Sequence, residues 1–167
     1  MIHTLDLRFK GLPDTIAAFL IETSDGPALI ETGPHSTFSS LQENLARYGY
    51  KSEDVRHVFI SHIHLDHAGA AWALAQLGAK IYLHPAGERH VVNPEKLLQS
   101  AKMIYKDQME ALWGDLQPIA PEQLVIAAHG DIFTIGDTSF IAWHTPGHAV
   151  HHIAWQLGDS LFTGDVG

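Results

Sequence analysis

The chain has 167 residues, of which 46% are hydrophobic and 17% charged, and its formal net charge is −9 with the thirteen histidines neutral. This composition is typical of one globular domain, and it excludes a disordered chain and a basic surface for nucleic acid. The absence of cysteine excludes disulfides and thiolate ligands, and without a long apolar run no membrane span is expected.

The N-terminal part of the chain predicts three strands. Residues 2–9 alternate polar and apolar side chains, which favours an edge strand. The same residues lack the apolar core of a signal peptide, so we expect a cytoplasmic protein. Apolar runs at 16–23 and 28–31 flank the turn sequence Ser-Asp-Gly-Pro, which predicts a hairpin.

Helices and strands are then expected to alternate. Apolar side chains recur at helical spacing over residues 37–48, after Ser36 as a candidate N-cap. The apolar run 55–60 predicts a buried strand, residues 68–77 a helix, and residues 80–83 another strand.

Residues 86–118 form an excursion with its own helix. Asn93 and Pro94 suit a helix start, Gly114 suits its end, and apolar residues recur at helical spacing between them. We interpret His84, which precedes the excursion, as a residue that caps local backbone rather than as a site residue.

From residue 124 onward the hydrophobic period is two. Strands are therefore predicted at 124–128, 132–135, 140–143 and 153–157, separated partly by glycine–aspartate turns. We expect these strands to form an antiparallel meander, with a further strand beginning at residue 161.

The stretch that carries chemistry is H-x-H-x-D-H at residues 62–67, directly after an apolar run. Residues two apart point the same way in extended backbone, so His62 and His64 are expected to face one ion. Asp66 and His67 lie past the turn and suit a second ion nearby. Imidazole and carboxylate ligands suit Zn²⁺, Mn²⁺ or Fe, and without thiolates the choice among these metals stays open.

This motif resembles that of the metallo-β-lactamase-fold hydrolases, and three other stretches extend the resemblance in the family's order. The first is Leu-Ile-Glu-Thr-Gly at 29–33, with Glu31 where the family usually has Asp. The others are Thr-Pro-Gly-His at 145–148 and Phe-Thr-Gly-Asp at 162–165.

The resemblance implies an α/β fold, specifically a four-layer αββα sandwich. It would be a single domain over residues 1–167 with a helical insertion at about 86–118. The family pattern continues with a further metal-binding His, so we expect this domain to lack its last strands. Three explanations stay open: a longer polypeptide, strands supplied by a partner subunit, or loss of the second metal.

The resemblance also implies a binuclear metal site whose ligands are, in chain order, His62, His64, Asp66, His67, His148 and Asp165. The three histidines His62, His64 and His148 would hold one ion, and Asp165 would bridge it to the other. Two Zn²⁺ ions are expected in the complete domain, with Mn or Fe as alternatives. Water between two such ions is a hydroxide near pH 7, and Asp66 would orient it as the catalytic carboxylate. In this chain the first ion is expected to bind tightly and the second weakly.

Three residues are candidates for supporting the metals or the substrate. Glu31 either supports the metal loop or is an ordinary strand-end carboxylate. One of His151 and His152 is expected to reach the pocket while the other lies on the opposite face of a strand. The alternative is that both are ordinary strand histidines.

In relatives of this fold, insertions at the place of the excursion cover the metal site. We therefore expect a helical lid over the site. Its candidate wall residues are Met103, Tyr105, Met109 and Trp113, of which Tyr105 and Met109 are expected to influence substrate preference.

The resulting hypothesis is a hydrolase that uses a metal-bound hydroxide on an ester, thioester, lactone or amide of a small molecule, without nucleic-acid or membrane partners. The motif is similar to that of glyoxalase II thioesterases and N-acyl homoserine lactonases and does not separate them. A persulfide dioxygenase, which shares the fold, would bind one Fe(II) through His62, His148 and Asp165. A non-catalytic metal-binding domain is a third interpretation. Apolar residues of the excursion would serve a homodimer interface as well as a lid.

Overall fold

The computed structural model describes residues 1–166, and its strands form two sheets. The first sheet contains, in spatial and chain order, β1 (Ile2–Asp6), β2 (Ala17–Thr23), β3 (Gly26–Ile30), β4 (His57–Phe59), β5 (Lys80–Leu83) and β6 (Leu124–Ile126). Strands β1 to β3 pair antiparallel, whereas β4, β5 and β6 are added in parallel. The second sheet is antiparallel and contains β7 (Ile132–Ile135), β8 (Thr138–His144), β9 (Ile153–Leu157) and β10 (Ser160–Phe162).

The helices are α1 (Phe38–Arg47), α2 (Leu65–Ala68), α3 (Ala71–Gln76), α4 (Pro85–Val92), α5 (Glu95–Tyr105) and α6 (Met109–Trp113). Helix α1 has an apolar face at helical spacing, on which Leu41 and Leu45 are fully buried. Helices α1, α3 and α4 contact β1, β5 and β6 respectively, so helices cover one face of the first sheet.

The two sheets pack face to face through an aromatic core. The rings of Phe59 and Phe140, one from each sheet, stack with centroids 4.0 Å apart, and Trp155 lies edge-on at 4.9 Å from Phe59. The Trp155 indole N–H donates to the carbonyl of Ile60 at 3.0 Å. This hydrogen bond ties β9 to the end of β4, where the H-x-H-x-D-H motif begins.

Residues 1–166 thus supply three of the four expected layers, namely helices, the first sheet and the second sheet. In this part of the chain no further layer covers the outer face of the second sheet, where Ile132 and Leu161 are 62% and 54% exposed. No helix in this part of the chain combines the length and apolar character that a membrane crossing requires.

The predicted meander is wrong in its first strand. Residues Leu124–Ile126 join the first sheet, where Leu124 pairs in parallel with Ile81 of β5. Leu124 packs into the core under the helices and Val125 into the core between the sheets. A strand that packs on both faces is typical of a parallel sheet with layers on either side. This strand has only three residues, too few for the hydrophobic period to show that both faces are covered.

The helix predicted over 68–77 is found as α3, and a break separates it from α2, which was not predicted and lies at the end of the H-x-H-x-D-H stretch. At the break the Ala70 N–H donates to Thr32 Oγ1 at 3.2 Å and to the Gly33 carbonyl at 3.0 Å. A Cβ on Gly69 would lie 2.8 Å from the Cα of Pro34. The chain therefore bends here because it packs against the loop that follows β3, a contact that helical spacing does not reveal.

The single helix predicted between Asn93 and Gly114 is also divided. Lys106 adopts φ 50° and ψ −122°, which ends α5 and separates it from α6. Helix α4 was not predicted. Ser36 does not cap α1; it lies in a short 3-10 turn, and its hydroxyl donates to the Leu112 carbonyl at 2.6 Å.

Candidate metal centre

Three histidines converge at the ends of two strands. His62 and His64 lie in the loop that follows β4, and His62 Nε2 lies 3.0 Å from His64 Nδ1. His148, from the loop after β8, places its Nε2 3.0 Å from the same Nδ1. One nitrogen from each residue lies within 4.8 Å of the others, which forms the first group of candidate ligands.

A second group of the same kind contains His62, His67 and Asp165. Asp165 Oδ1 lies 3.1 Å from His67 Nε2, and Asp165 Oδ2 lies 3.2 Å from His148 Nε2. The carboxylate of Asp165 therefore contacts both groups, which suits a bridging ligand.

Asp66 lies at the edge of the second group rather than inside it. Its Oδ2 is 3.5 Å from His67 Nε2, and its side chain is 41% exposed. His62 belongs to both groups but has one free lone pair, because its Nδ1 lies 2.9 Å from the Ser61 hydroxyl. If His62 serves the first ion, then His67, Asp165 and Asp66 are left for the second.

The electrostatics of the cluster suit metal ligation. Burial and the neighbouring imidazoles of His67 and His64 lower the pKa of His62 to about 2, so His62 is neutral, as a ligand must be. Burial alone would lower the pKa of His67, but the Glu31 carboxylate, together with Asp66 and Asp165, raises it to about 9. A protonated His67 thus occupies a place where a cation is favoured. Neutral imidazoles beside several carboxylates form a donor set that fits Zn²⁺.

This difference in pKa predicts a difference in pH dependence between the two groups. A metal at His67 must displace a proton at any pH below about 9, so its affinity should fall about 50-fold from pH 9 to pH 7, approaching tenfold per unit at the lower pH values. His62 is already neutral in this range and imposes no such competition. Calorimetric zinc titrations at pH 7, 8 and 9 would measure both equivalents, the tighter one serving as internal control. Parallel pH dependence of the two would contradict the assignment.

Glu31 is only 5% exposed and lies against the metal loop. Its Oε1 accepts the Ser61 N–H at 3.1 Å, and its Oε2 lies 3.4 Å from His67 Nδ1, an ion pair rather than a short hydrogen bond. Glu31 also adopts φ 64°, a strained value for a residue with a Cβ. Contacts of this kind orient a ligating imidazole, which favours the supporting role over the ordinary strand-end carboxylate.

His151 and His152 both border the ligand groups and precede β9, so the expectation that one of them faces away is wrong. The His152 ring is fully buried, with Nδ1 2.8 Å from Thr145 Oγ1 and Nε2 accepting the Asp165 N–H at 3.3 Å. The His151 ring centroid lies 5.8 Å from that of His64, and its Nδ1 is buried without a hydrogen-bond partner among the described residues. Both rings turn inward because the chain has not yet entered the strand, so alternation does not apply to them.

Sequence reasoning missed Ser61, Thr145 and Gly164 as supporting residues. Each adjoins a predicted ligand or its loop: Ser61 contacts His62, and Thr145 contacts His152. Their positions inside the motif stretches were the only available signal. His84 behaves as predicted, since its Nδ1 accepts the Ala86 N–H at the start of α4.

Gly164 offers a test of this packing. It has φ 53°, and a Cβ there would lie 2.6 Å from His152 Nε2 and 2.7 Å from Ser61 Oγ. Gly158 has φ 54° but open space around it. Gly158→Ala should therefore cost about 1–2 kcal/mol of unfolding free energy from backbone strain alone. Gly164→Ala should cost at least about 1 kcal/mol more from overpacking, measured by urea denaturation, and should weaken zinc binding through Asp165. Equal effects of the two changes would contradict the packing.

A cavity of about 330 Å³ adjoins the ligand groups. Its lining residues come from the metal loop and the excursion: His64, Leu65, Asp66, Leu97, Ser100, Ala101, Ile104, Tyr105 and Trp113. Tyr105 and Trp113 were predicted as wall residues. Met109 is instead buried in a cluster with Leu65 and Ala101 and does not line the cavity.

Met103, the remaining predicted wall residue, is 74% exposed and also lies outside the lining. The end of the excursion is tied to the main body by two hydrogen bonds, and the predicted lid over the site stays a prediction. The Trp72 indole N–H donates to the Asp115 carbonyl at 3.1 Å, and Ser36 holds Leu112.

The sequence of this chain is similar to those of known proteins. The family model described as the metallo-beta-lactamase superfamily matches residues 11–167. A metallo-beta-lactamase fold-containing protein of Sulfurisphaera tokodaii is 30% identical over 114 residues, covering 65% of this chain and 43% of the relative. An N-acyl homoserine lactonase of a Bacillus species is 24% identical over 157 residues, covering 80% of this chain and 54% of the relative.

Solved structures show the same fold. A metallo-beta-lactamase family protein of Thermus thermophilus superposes with a TM-score of 0.74 at 22% identity, covering 93% of this chain and 55% of that one. A subclass B3 metallo-beta-lactamase of Bradyrhizobium japonicum gives 0.70 at 23% identity, covering 96% and 56%. The chain thus spans about half the length of the proteins that it matches.

Proposed function

The chain belongs to the metallo-beta-lactamase superfamily, and from that premise we propose that it is a metal-dependent hydrolase acting on an ester, thioester, lactone or amide of a small molecule. The observation that carries the proposal is the pair of ligand groups at the strand ends, beside a cavity of ligand size. Because the chain spans about half the length of the proteins that it matches, the proposal is restricted to the domain that this chain represents.

The ligands divide into two sets under this proposal. His62, His64 and His148 would hold one Zn²⁺, and His67, Asp165 and Asp66 would hold a second, more weakly. Zinc bound there would supply an activated water and a Lewis acid for the scissile carbonyl. Mn²⁺ or Fe would fit the same donors.

The protein's own side chains then position the attacking water and the candidate ligands. Asp66 lines the cavity and is partly exposed, so its carboxylate can accept a hydrogen bond from the attacking water and orient it. Glu31 holds His67 from the opposite ring nitrogen, and His152 holds the backbone of Asp165. These contacts keep the ligands in place while substrate enters from the cavity side.

A serine nucleophile finds no support in the site. Ser61 pairs with His62, but it is only 1% exposed and cannot reach a substrate in the cavity. No cysteine is available either. Covalent catalysis by these groups is therefore disfavoured relative to attack by water.

The test is reconstitution. Protein stripped by a chelator and dialysed should hydrolyse nothing in a panel of aryl esters, thioesters, lactones and amides, and Zn²⁺ or Mn²⁺ should restore turnover of at least one class. Activity that survives full metal removal would overturn the proposal. Turnover seen only with Fe(II), together with O₂ uptake on a thiol persulfide, would favour the dioxygenase. Tight metal binding without any turnover would favour a non-catalytic domain.

A further inference from the structure

The cavity beside the ligand groups has a chemical character that narrows the substrate. We propose that it is a subsite for an uncharged, apolar chain attached to the scissile group, and that the excursion sets a limit on the length of this chain. The inference rests on the proposed hydrolase function, which it refines.

The walls of the cavity are apolar and aromatic. Tyr105 and Trp113 meet edge-on with ring centroids 5.1 Å apart, and Trp113 stacks on Phe9 at 5.5 Å. Leu97 and Ile104 add aliphatic surface from α5. Such surface favours hydrocarbon over polar groups, by up to about fourfold in affinity for each fully buried methylene.

The charges of the lining residues also favour an uncharged occupant. Asp66 is the one acidic residue that lines the cavity, and the lining residues include no Lys or Arg. An anionic group at the end of the chain would find no Lys or Arg among these lining residues to pair with, and burying an unpaired charge is costly. The occupant is therefore neutral as well as apolar.

The cavity is continuous with the candidate ligand groups, which indicates where the reacting end of the substrate would lie. His64 and Asp66 belong to both the cavity lining and the candidate metal centre, and Leu65 lies between them. A chain in the cavity therefore begins beside these ligands and runs toward Ile104 and Trp113. At about 330 Å³ the cavity is near the small end of ligand sites, which suits a small-molecule chain rather than a polypeptide.

The wall has a fixed position, so the capacity should be limited. Leu112 and Asp115, which flank Trp113, are hydrogen-bonded to Ser36 and Trp72 of the main body, and Tyr105 packs edge-on against Trp113. A Cβ on Gly114 would lie 2.6 Å from the Ser36 N–H nitrogen, which shows how closely the end of α6 packs on the turn before α1. The wall cannot recede without breaking these contacts.

The first experiment measures chain length with zinc-loaded protein. Two ester series, with straight alkyl chains from two to twelve carbons on the acyl or on the alcohol side, should reveal the subsite. In at least one series kcat/KM should rise up to about fourfold per methylene and then level off or fall. An ω-carboxylate on the favoured chain should remove most of the gain. Hydrolysis that is independent of chain length in both series would overturn the inference while leaving the hydrolase intact.

Matched variants test the location of the subsite. Ser100 is exposed and lines the cavity, whereas Gln99 is exposed on the same helix outside it. Ser100→Phe should shorten the preferred chain by several carbons, and Gln99→Phe should not. Likewise Ile104→Asp should cut kcat/KM for long esters at least tenfold, while Met103→Asp, at a similarly exposed neighbour, should leave it unchanged. Equal effects within either pair would overturn the location.

A binding measurement separates failure of this inference from failure of the proposed function. Neutral n-alkyl amides added to metal-free protein should change tryptophan fluorescence in a chain-length-dependent way, because Trp113 lines the cavity. Trp113→Phe should abolish the change while the other three tryptophans remain. Binding without turnover of any ester, thioester, lactone or amide by the metal-loaded protein would preserve the subsite and reject the hydrolase. Absence of binding at every chain length would reject the subsite.

Discussion

Replacing His148 with Gln is expected to lower the affinity for the tighter zinc equivalent by more than 100-fold and to abolish hydrolysis. His148 supplies one of the three nitrogens of the first group, with Nε2 3.0 Å from His64 Nδ1. Loss of a residue that merely supports a ligand costs 10- to 100-fold in metal affinity, so loss of a ligand itself should cost more. Competition with a fluorescent chelator would measure the affinity, and mass spectrometry the stoichiometry.

Two comparisons make this result specific. His129→Gln changes an exposed histidine outside both ligand groups and should retain both zinc equivalents. His67→Gln should remove the weaker equivalent and spare the tighter one, because His67 belongs only to the second group. If His148→Gln retained wild-type affinity while circular dichroism showed a native fold, the first group would not be a metal site.

Replacing Asp66 with Asn is expected to lower kcat by about 100- to 10,000-fold, the usual contribution of a positioned general acid or base. The exposed carboxylate of Asp66 lines the cavity and lies 3.5 Å from His67 Nε2. Asn keeps the shape but lacks the negative charge, so it should orient the attacking water less well and hold the second ion more weakly. The tighter zinc equivalent should be unaffected, since Asp66 lies outside the first group.

The control for this change is Asp107→Asn, which removes one exposed carboxylate from the excursion away from the ligand groups. It should leave kcat within about twofold of wild type, as expected for a surface change. Steady-state kinetics on the best substrate, with zinc content measured for each preparation, separates loss of catalysis from loss of metal. Full activity of Asp66→Asn would remove Asp66 from the mechanism.

Short-range patterns predicted much of this fold because local geometry decides them. The hairpin of β2 and β3 followed from a turn sequence between two apolar runs, and His62 and His64, two positions apart in the motif, lie side by side as expected. The cap role of His84 was likewise a property of a few consecutive residues. Each of these depends on contacts within one turn or one strand pair.

Other features depended on packing between distant segments. β6 looked like the first strand of a meander, but burial on both of its faces placed it in the first sheet. Met109 shared the helical spacing of Tyr105, yet the break at Lys106 turned it into a buried cluster instead of the cavity wall. Nothing in the period of the sequence shows such a break, since Lys106 is an ordinary helix former.

The sequence by itself determined the candidate ligands and the motifs that carry the family resemblance, because both depend on residue type and short spacing. The two-sheet α/β architecture was what that resemblance implied. The resemblance implied that His64 and His148 share one ion, and the tertiary structure shows the contact between them across 84 positions of the chain. The tertiary structure also decided that Glu31 contacts the candidate ligand His67 and that His152 accepts the backbone N–H of the candidate ligand Asp165. The apolar cavity wall beside Asp66 likewise depends on tertiary packing. The physical reason is that side-chain contacts between separate elements depend on how sheets, loops and helices pack, and that packing involves the whole chain at once.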